Sequence, residues 1–418
     1  MTIGKKTKKL MWFAGALAVV ILLSTIICPH ILLANARQPE PEELDYTFPT
    51  TYEQTREMLS ERVFALRKEG ITCNKESFLI NEQEQLYVDT LFLPSKKTEN
   101  LIVLTTGVHG MEGYIGSVML EVFFEEIYPT LNTENTGVLV VANVNPYGMK
   151  HYRRYNENNV DLNRNFILDW DSFDLDSNKE YPTVQKFLEP GGKVGNALWH
   201  EAGFYLRLGK EAVFSGADTI SDALLTGQYR SPNGVYYGGV GDEKSTVYLK
   251  SLFNDCLDSR YGDYDNIVHI DIHSGYGPRY NMVIFNSVYE TETEAESVKA
   301  FGYDHVIAHD SDSFYATTGD TTDYFYRLAD QKKSDKELFS TCFEFGTIGD
   351  AFFDTILSLK YTVDENRVLQ NPGGNKKTEE MIHENYMELY YPTETKWREK
   401  TIQDFVTATN GVLKYKLK

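Results

Sequence analysis

The run Leu101-Ile-Val-Leu-Thr105 leads straight into Gly107-Val-His-Gly-Met-Glu-Gly113; a helical pattern follows from Tyr114 to Tyr128, and a second apolar run spans Val138 to Val144. Short apolar runs joined through a polar, glycine-rich loop and a helix are the grammar of an α/β domain with a largely covered sheet. Leu86 to Leu93, Ile267 to Ile272, Met282 to Phe285 and Leu338 to Phe345 are further strand candidates. Most are nearly unbroken in apolar character, as strands covered on both faces are. Met58, Val63, Phe64 and Leu66 fall at roughly helical spacing between Thr51 and Lys68, so this segment is expected to be a packing helix stopped by Gly70.

The organisation expected is a short leader, a linker and one catalytic body. Lys5, Lys6, Lys8 and Lys9 precede an apolar run from Leu10 to Cys28, the pattern of an export signal. The run would reach about 28 Å as a helix, close to a bilayer core. Pro29 and the small-x-small site Ala34-Asn35-Ala36 fit cleavage instead, so residues 1–36 are read as a signal peptide or a membrane anchor. Either way the lysines stay inside and the body faces the exterior, anchored or secreted. Residues 37–50 carry Pro39, Pro41 and Pro49 among acidic residues and read as an extended linker. Residues 51–418 form the body, with a long insertion around 166–264 richer in Gly, Asp, Ser and Tyr and expected to hold shorter helices. The segment from Lys376 to Lys418 has helical spacing in part.

With 41 Lys and Arg against 61 Asp and Glu, the formal net charge is −20. Such a surface repels polyanions, so nucleic acid is not an expected partner. Cys73, Cys256 and Cys342 in the body are odd in number and widely spaced, so no disulfide framework is implied.

The chemistry concentrates in four places. His109 and Glu112 lie three residues apart just after a strand, where a turn brings both to one side; alone, the pair also suits a surface turn. His269-Ile-Asp-Ile-His273 corroborates it, because alternate strand residues share a face and three buried polar groups together need partners. Two histidines and a carboxylate are a ligand set for one catalytic zinc ion, and His273 is chosen because it ends the strand. Asp271 would orient a ligand histidine, and His269 is the reserve ligand or a hydrogen-bonded core histidine. Arg153, Arg154 and the compact Val160-Asp-Leu-Asn-Arg-Asn165 offer guanidinium groups suited to carboxylates and oxyanions. Glu344, inside Thr341-Cys-Phe-Glu-Phe345, is a carboxylate in an aromatic strand and a candidate general base.

These motifs, an H-x-x-E pair, an Asn145-Pro-Tyr-Gly148 turn, a D-x-N-R-N run, Ile272-His-Ser274 and Phe343-Glu-Phe345, resemble those of the zinc carboxypeptidase family, in the same order. The resemblance covers roughly Leu86 to Asp350 and is nearest to a poorly characterised bacterial branch, related to the succinylglutamate desuccinylase and aspartoacylase deacylases. It implies a three-layer α/β/α fold with a mixed, mostly parallel central sheet. It makes His109, Glu112 and His273 the zinc ligands, Glu344 the base, Asn163 and Arg164 the grip on a substrate carboxylate, and Arg154 the oxyanion stabiliser, with Arg153 competing. Phe314-Tyr-Ala-Thr-Thr-Gly319 resembles the segment bearing the family's mobile tyrosine, which would make Tyr315 close over substrate. Met111 stands where digestive members carry a further arginine.

The expected function is zinc-dependent hydrolysis of an amide bond beside a substrate carboxylate, as in a metallocarboxypeptidase acting on peptides outside the cytoplasm. A deacylase of N-acyl amino acids and a catalytically idle binding module of the same fold are the alternatives. A serine hydrolase is disfavoured because no G-x-S-x-G elbow occurs. The membrane is a partner only through an uncleaved leader, and oligomeric state is open.

Overall fold

The computed structural model describes residues 44–418 except 215–218, 221–222, 225 and 312–316. The leader, half of the linker and Tyr315 therefore lie outside the described residues. Among those described, no helix is long and apolar enough to cross a membrane.

Eight strands form one sheet: β1 (Asn74–Asn81), β2 (Leu86–Leu93), β3 (Asn100–Thr106), β4 (Thr136–Ala142), β5 (Asn266–Ser274), β6 (Met282–Asn286), β7 (Val306–Ile307) and β8 (Glu337–Phe345). Their spatial order is β1-β2-β4-β3-β5-β8-β6-β7. The centre, β4-β3-β5-β8, is parallel; β1-β2, β2-β4 and β6-β8 are antiparallel, and β6-β7 is parallel. The mixed, mostly parallel sheet expected from the sequence is thus present.

Every residue of β3, β4 and β5 is buried, which explains why β3 and β4 read as nearly continuous apolar runs, while β5 buries His269, Asp271 and His273 among its apolar residues. Alternation still sorts their side chains between two cores. Ile102 and Leu104 join one with Leu59 of α1 (Tyr52–Lys68), Ile115 of α2 (Gly113–Val122) and Phe405 of the long C-terminal helix. Leu101 and Val103 join the other with Phe253 and Phe325, from helices on the opposite face. The result is three layers, helix over sheet over helix. Thr51 caps α1 with a capping box to Gln54, which fixes its start where the sequence places it.

The next helix, α3, is the single turn Pro146–Lys150. The segment 166–264 departs from expectation. It contains α4 (Tyr181–Leu188) but also α5 (Ala197–Phe214, 18 residues) and α6 (Lys244–Leu257, 14 residues). Gly203 and Gly209 dilute the helical signal of α5, yet tertiary packing overrides their low propensity. Leu249, Leu252 and Phe253 of α6 pack directly on the sheet, so α6 is part of the outer layer. Only α4, α5 and the loops around them form a side lobe, with its own apolar cluster completed by Leu359 and Val363. The remaining helices are α7 (Glu294–Phe301), α8 (Thr321–Lys332), α9 (Phe352–Gln370), α10 (Lys376–Tyr390) and α11 (Thr395–Lys416). Strand β1 carries the polar series Asn-Lys-Glu-Ser and is mostly exposed, so no apolar run announced it.

Candidate metal centre

Strand β3 ends at Thr106, and Gly107 turns the chain with φ +73°. The loop that follows is clamped by the segment 145–154. Gly110 donates its N–H to Arg154 O at 3.1 Å and Met111 donates to Arg153 O at 3.0 Å. A β-carbon on Gly110 would lie 2.2 Å from the carbonyl carbon of Gly148, so only glycine permits this approach. Asn145 Oδ1 accepts from Gly148 N–H at 2.9 Å while its Nδ2 donates to Arg154 O at 2.9 Å. The Asn-Pro-Tyr-Gly turn is therefore the brace of the His-x-x-Glu loop.

This brace and the end of β5 bring His109, Glu112 and His273 together, all buried. Glu112 Oε1 is 2.8 Å from His109 Nδ1, and Oε2 is 2.8 Å from His273 Nδ1. Ser274 donates its N–H to the same Oε2 at 3.1 Å. The outward nitrogens are held as well: His109 Nε2 lies 3.1 Å from Asp161 Oδ1 and His273 Nε2 lies 2.8 Å from Asp271 Oδ2. Asp271 is fixed in turn by the hydroxyls of Thr105 and Thr321.

The charge balance is equally directed. Burial opposes ionisation of Glu112, but His109 and His273 outweigh it and hold the carboxyl down to about 2. Burial likewise opposes the charge on Asp161, where Arg154 and His109 prevail and keep it well below the carboxylate range. For His273, burial is overcome by Asp271 and Glu112, which favour the protonated ring in the absence of any other cation.

Two donors at about 2.0–2.1 Å from a tetrahedral ion stand about 3.3 Å apart. The Nδ1 atoms of His109 and His273 are 3.2 Å apart, so their spacing meets that requirement. Two imidazoles and one carboxylate, each with its far side anchored by another group, are a donor set suited to zinc. The residues present fit the ion.

His269 is not brought to this group. Its Nδ1 is 2.8 Å from Ser340 Oγ and its Nε2 is 3.0 Å from Thr105 Oγ1. Burial drives its pKa down to about 4, as for a neutral core histidine. The D-x-N-R-N run by itself gives Asp161 no role, yet Asp161 holds both His109 and Arg154. The signal that could have found it is its place two residues before Asn163, where its backbone must pass the site.

Glu344 stands on β8 in register with His273. Its Oε1 accepts from Tyr276 N–H at 3.0 Å. Burial, then the Glu112 carboxylate, pushes its pKa up to about 8 against the opposing pull of His273 and Arg154. Arg154 donates from Nε to Asp161 Oδ2 at 2.9 Å, and its Nη1 is 3.5 Å from Glu112 Oε1. Arg164 donates from Nη1 to Asn163 O at 2.8 Å, and Asn163 Oδ1 accepts from Thr321 N–H at 3.0 Å. His273, Glu344, Arg154, Asn163 and Arg164 all line one cavity of about 210 Å³. Arg153 does not line it: it turns away to Glu365 and Asn159.

His200, Glu201 and Asp364 form a second compact group among the described residues. A cation is already inside it, because Lys360 Nζ lies 2.7 Å from both Glu201 Oε1 and Asp364 Oδ2. This group is a buried ion network and does not fit a metal.

A family described as "Protein of unknown function (DUF2817)" matches residues 48–404. No curated protein matches the chain. Among solved structures, the chain is similar to carboxypeptidase A from Helicoverpa armigera, with 13% identity over 91% of this chain and 87% of that one and a TM-score of 0.44. It is similar to bovine thrombin-activatable fibrinolysis inhibitor in complex with tick carboxypeptidase inhibitor, at 15% identity over 81% and 97% of the two chains and a TM-score of 0.41. A metallo-carboxypeptidase from Pseudomonas aeruginosa matches at 12% identity over 88% and 69%, with a TM-score of 0.40.

Proposed function

We propose that this chain, which belongs to the DUF2817 family of proteins of unknown function, is a zinc-dependent hydrolase of amide bonds adjacent to a substrate carboxylate. The observation that carries the reading is the convergence of His109, Glu112 and His273 beside Glu344 at the wall of a cavity that also holds Arg154 and Arg164.

His109 Nδ1, His273 Nδ1 and the Glu112 carboxylate would hold the ion. Zinc in such a set supplies Lewis-acid polarisation of a carbonyl and acidification of water. Asp161 and Asp271 keep the imidazoles turned inward. Glu344 lines the cavity with Oε1 tied to the Tyr276 amide, and its Oε2, which the Cys342 thiol approaches at 3.9 Å, takes a proton from water and returns it to the departing nitrogen. Arg154, fixed by Asp161, presents the rest of its guanidinium to charge developing on the carbonyl oxygen. Asn163 and Arg164 grip the substrate carboxylate, and the family resemblance of its sequence segment gives Tyr315 a substrate-binding role. The sequence of residues 1–36 supports action outside the cytoplasm, with the body anchored to the membrane or secreted.

Full-length protein should carry about one zinc per chain and lose activity to a chelator. Glu344→Gln should keep the metal and lose turnover by roughly a thousandfold or more. Peptides with a free terminal carboxylate should be cleaved and their amidated forms spared. Cleavage of N-acyl amino acids alone would reassign the site to a deacylase. Failure to hold zinc at near-stoichiometric level would remove the hydrolase reading.

A further inference from the structure

Between α5 and α6, the segments Gly227-Gln-Tyr229 and Gly234-Val-Tyr-Tyr-Gly-Gly239 fold back on the Asp161–Asn165 run. Asp161 donates its N–H to Tyr237 O at 2.7 Å, and Asn165 Nδ2 donates to Gly238 O at 2.7 Å. The Tyr229 hydroxyl donates to Arg164 O at 2.8 Å. A β-carbon on Gly227 would lie 2.7 Å from Arg164 Cδ, so the side chain of that arginine rests directly on this backbone. The two segments also hold each other: Gln228 donates its N–H to Tyr236 O at 2.9 Å, and Gly238 donates to Gln228 O at 2.8 Å. A strap from the side lobe is thus clamped along the run that brings Asp161 to His109 and Arg164 to the cavity.

Of residues 227–239, Tyr236 alone lines that cavity. Its backbone is left-handed, with φ +54°, a conformation that a bulky side chain adopts only at a cost. Among the described residues, no other non-glycine with positive φ lines the cavity. The conformation is held from both ends, because the Tyr236 N–H donates to the hydroxyl of the fully buried Tyr155 at 3.2 Å while its carbonyl accepts from Gln228. Glycine at 236 would make the same turn without strain, so the tyrosine side chain answers to something other than the turn. What it meets is Arg154, whose Cζ lies over the ring at 5.5 Å from the centroid. The bond from Arg154 Nε to Asp161 fixes one edge of the guanidinium and leaves it free to swing about that edge. An aromatic face against the cation removes the freedom.

We propose that Tyr236 is a positioning residue for the hydrolysis described above, a role that rests on Arg154 being the oxyanion stabiliser: its ring holds the guanidinium turned towards the charge that develops on the carbonyl oxygen. The acting part is the ring face, through its attraction for the cation, and the hydroxyl is not needed. The side lobe then enters the reaction through one side chain, set on a strained backbone position that two hydrogen bonds maintain.

The test uses full-length, zinc-loaded protein and whichever of benzoylglycyl peptides and N-acetyl amino acids the wild type cleaves. Tyr236→Leu should lower kcat roughly tenfold and move KM less than about twofold, with thermal midpoint and zinc content unchanged. Tyr236→Phe should recover most of that loss. In an Arg154→Gln background, Tyr236→Leu should have no further effect. The Nε–H resonance of Arg154, assigned by its disappearance in Arg154→Lys, reads the contact without turnover. It should move in Tyr236→Leu and keep its place in Tyr236→Phe. An active wild type whose Arg154 resonance ignores Tyr236→Leu overturns the role of Tyr236 and leaves the hydrolase reading intact. So does a phenylalanine variant as impaired as the leucine one, which would give the role to the hydroxyl, or a full additional loss in the Arg154→Gln background. A zinc-loaded wild type that cleaves neither substrate class overturns the hydrolase reading itself, and this role with it.

Discussion

Adjacent in sequence, Arg153 and Arg154 are held by different carboxylates, Arg153 Nε by Glu365 at 3.0 Å and Arg154 Nε by Asp161 at 2.9 Å. One arginine belongs to the packing against α9 and the other to the cavity. The choice between them, open in the sequence, follows from this divergence. Arg153→Met leaves Glu365 buried beside an apolar chain and should lower stability by about 3 kcal/mol. Arg154→Lys keeps the charge beside Asp161 but loses the planar fork, and should lower kcat/KM by roughly a hundredfold with little change in thermal midpoint. Thermal unfolding and steady-state kinetics of the two variants, measured side by side, check the split.

Asp161 reaches the site through His109, so Asp161→Asn should weaken zinc binding by roughly 10- to 100-fold. Competition with a chromophoric chelator measures it. Unchanged affinity would make Asp161 a partner of Arg154 alone.

Gly110→Ala places a β-carbon 2.2 Å from the Gly148 carbonyl carbon, and both partners are backbone. The loops must separate, at a cost of about 1–3 kcal/mol, and His109 moves with them. Metal affinity and stability should fall together. An alanine there with wild-type metal content would show that the brace is dispensable.

Lys360→Met should cost about 3–5 kcal/mol, because it strands Glu201 and Asp364 in the interior. Zinc content should stay at the wild-type level. Chemical denaturation together with elemental analysis separates this ion network from the metal centre.

Asp323 gives a pH dependence with a definite sign. Burial, then the adjacent Asp320, raises its pKa from 3.8 to about 7, against hydrogen bonds from Ser287 and the Val288 amide and the attraction of Arg327. The folded state binds this proton more tightly than the unfolded chain does. The contribution to stability is therefore full below about 4 and is lost as pH rises through about 7. Asp323→Asn should match wild type near pH 4 and exceed its thermal midpoint by several degrees at pH 8. A constant difference across that range would contradict the assignment.

The parts of the molecule legible in the sequence were those with one dominant physical cause. Leu101–Thr105 and Val138–Val144 announce buried strands by their short apolar runs and Ile267–Ile272 by alternation, and the ends of the first and last locate His109 and His273. Strand β1 stayed hidden because an exposed edge tolerates Asn, Lys and Glu, and its pairing with β2 is backbone work. Asp161 escaped because its importance lies in two contacts with residues 52 and 7 positions away, which no local pattern records. Helix α5 was blurred by two glycines and by an apolar stripe that marks no core.

The meeting of Gly110 with Gly148 has a consequence for how such a centre is inherited or transplanted. Two stretches of chain nearly forty residues apart share one van der Waals boundary, so neither has a shape of its own to copy. A designer who grafts the His-x-x-Glu loop onto another sheet without the Asn-Pro-Tyr-Gly segment carries over the donors without their aim. Length changes in one stretch must be matched in the other or be lost.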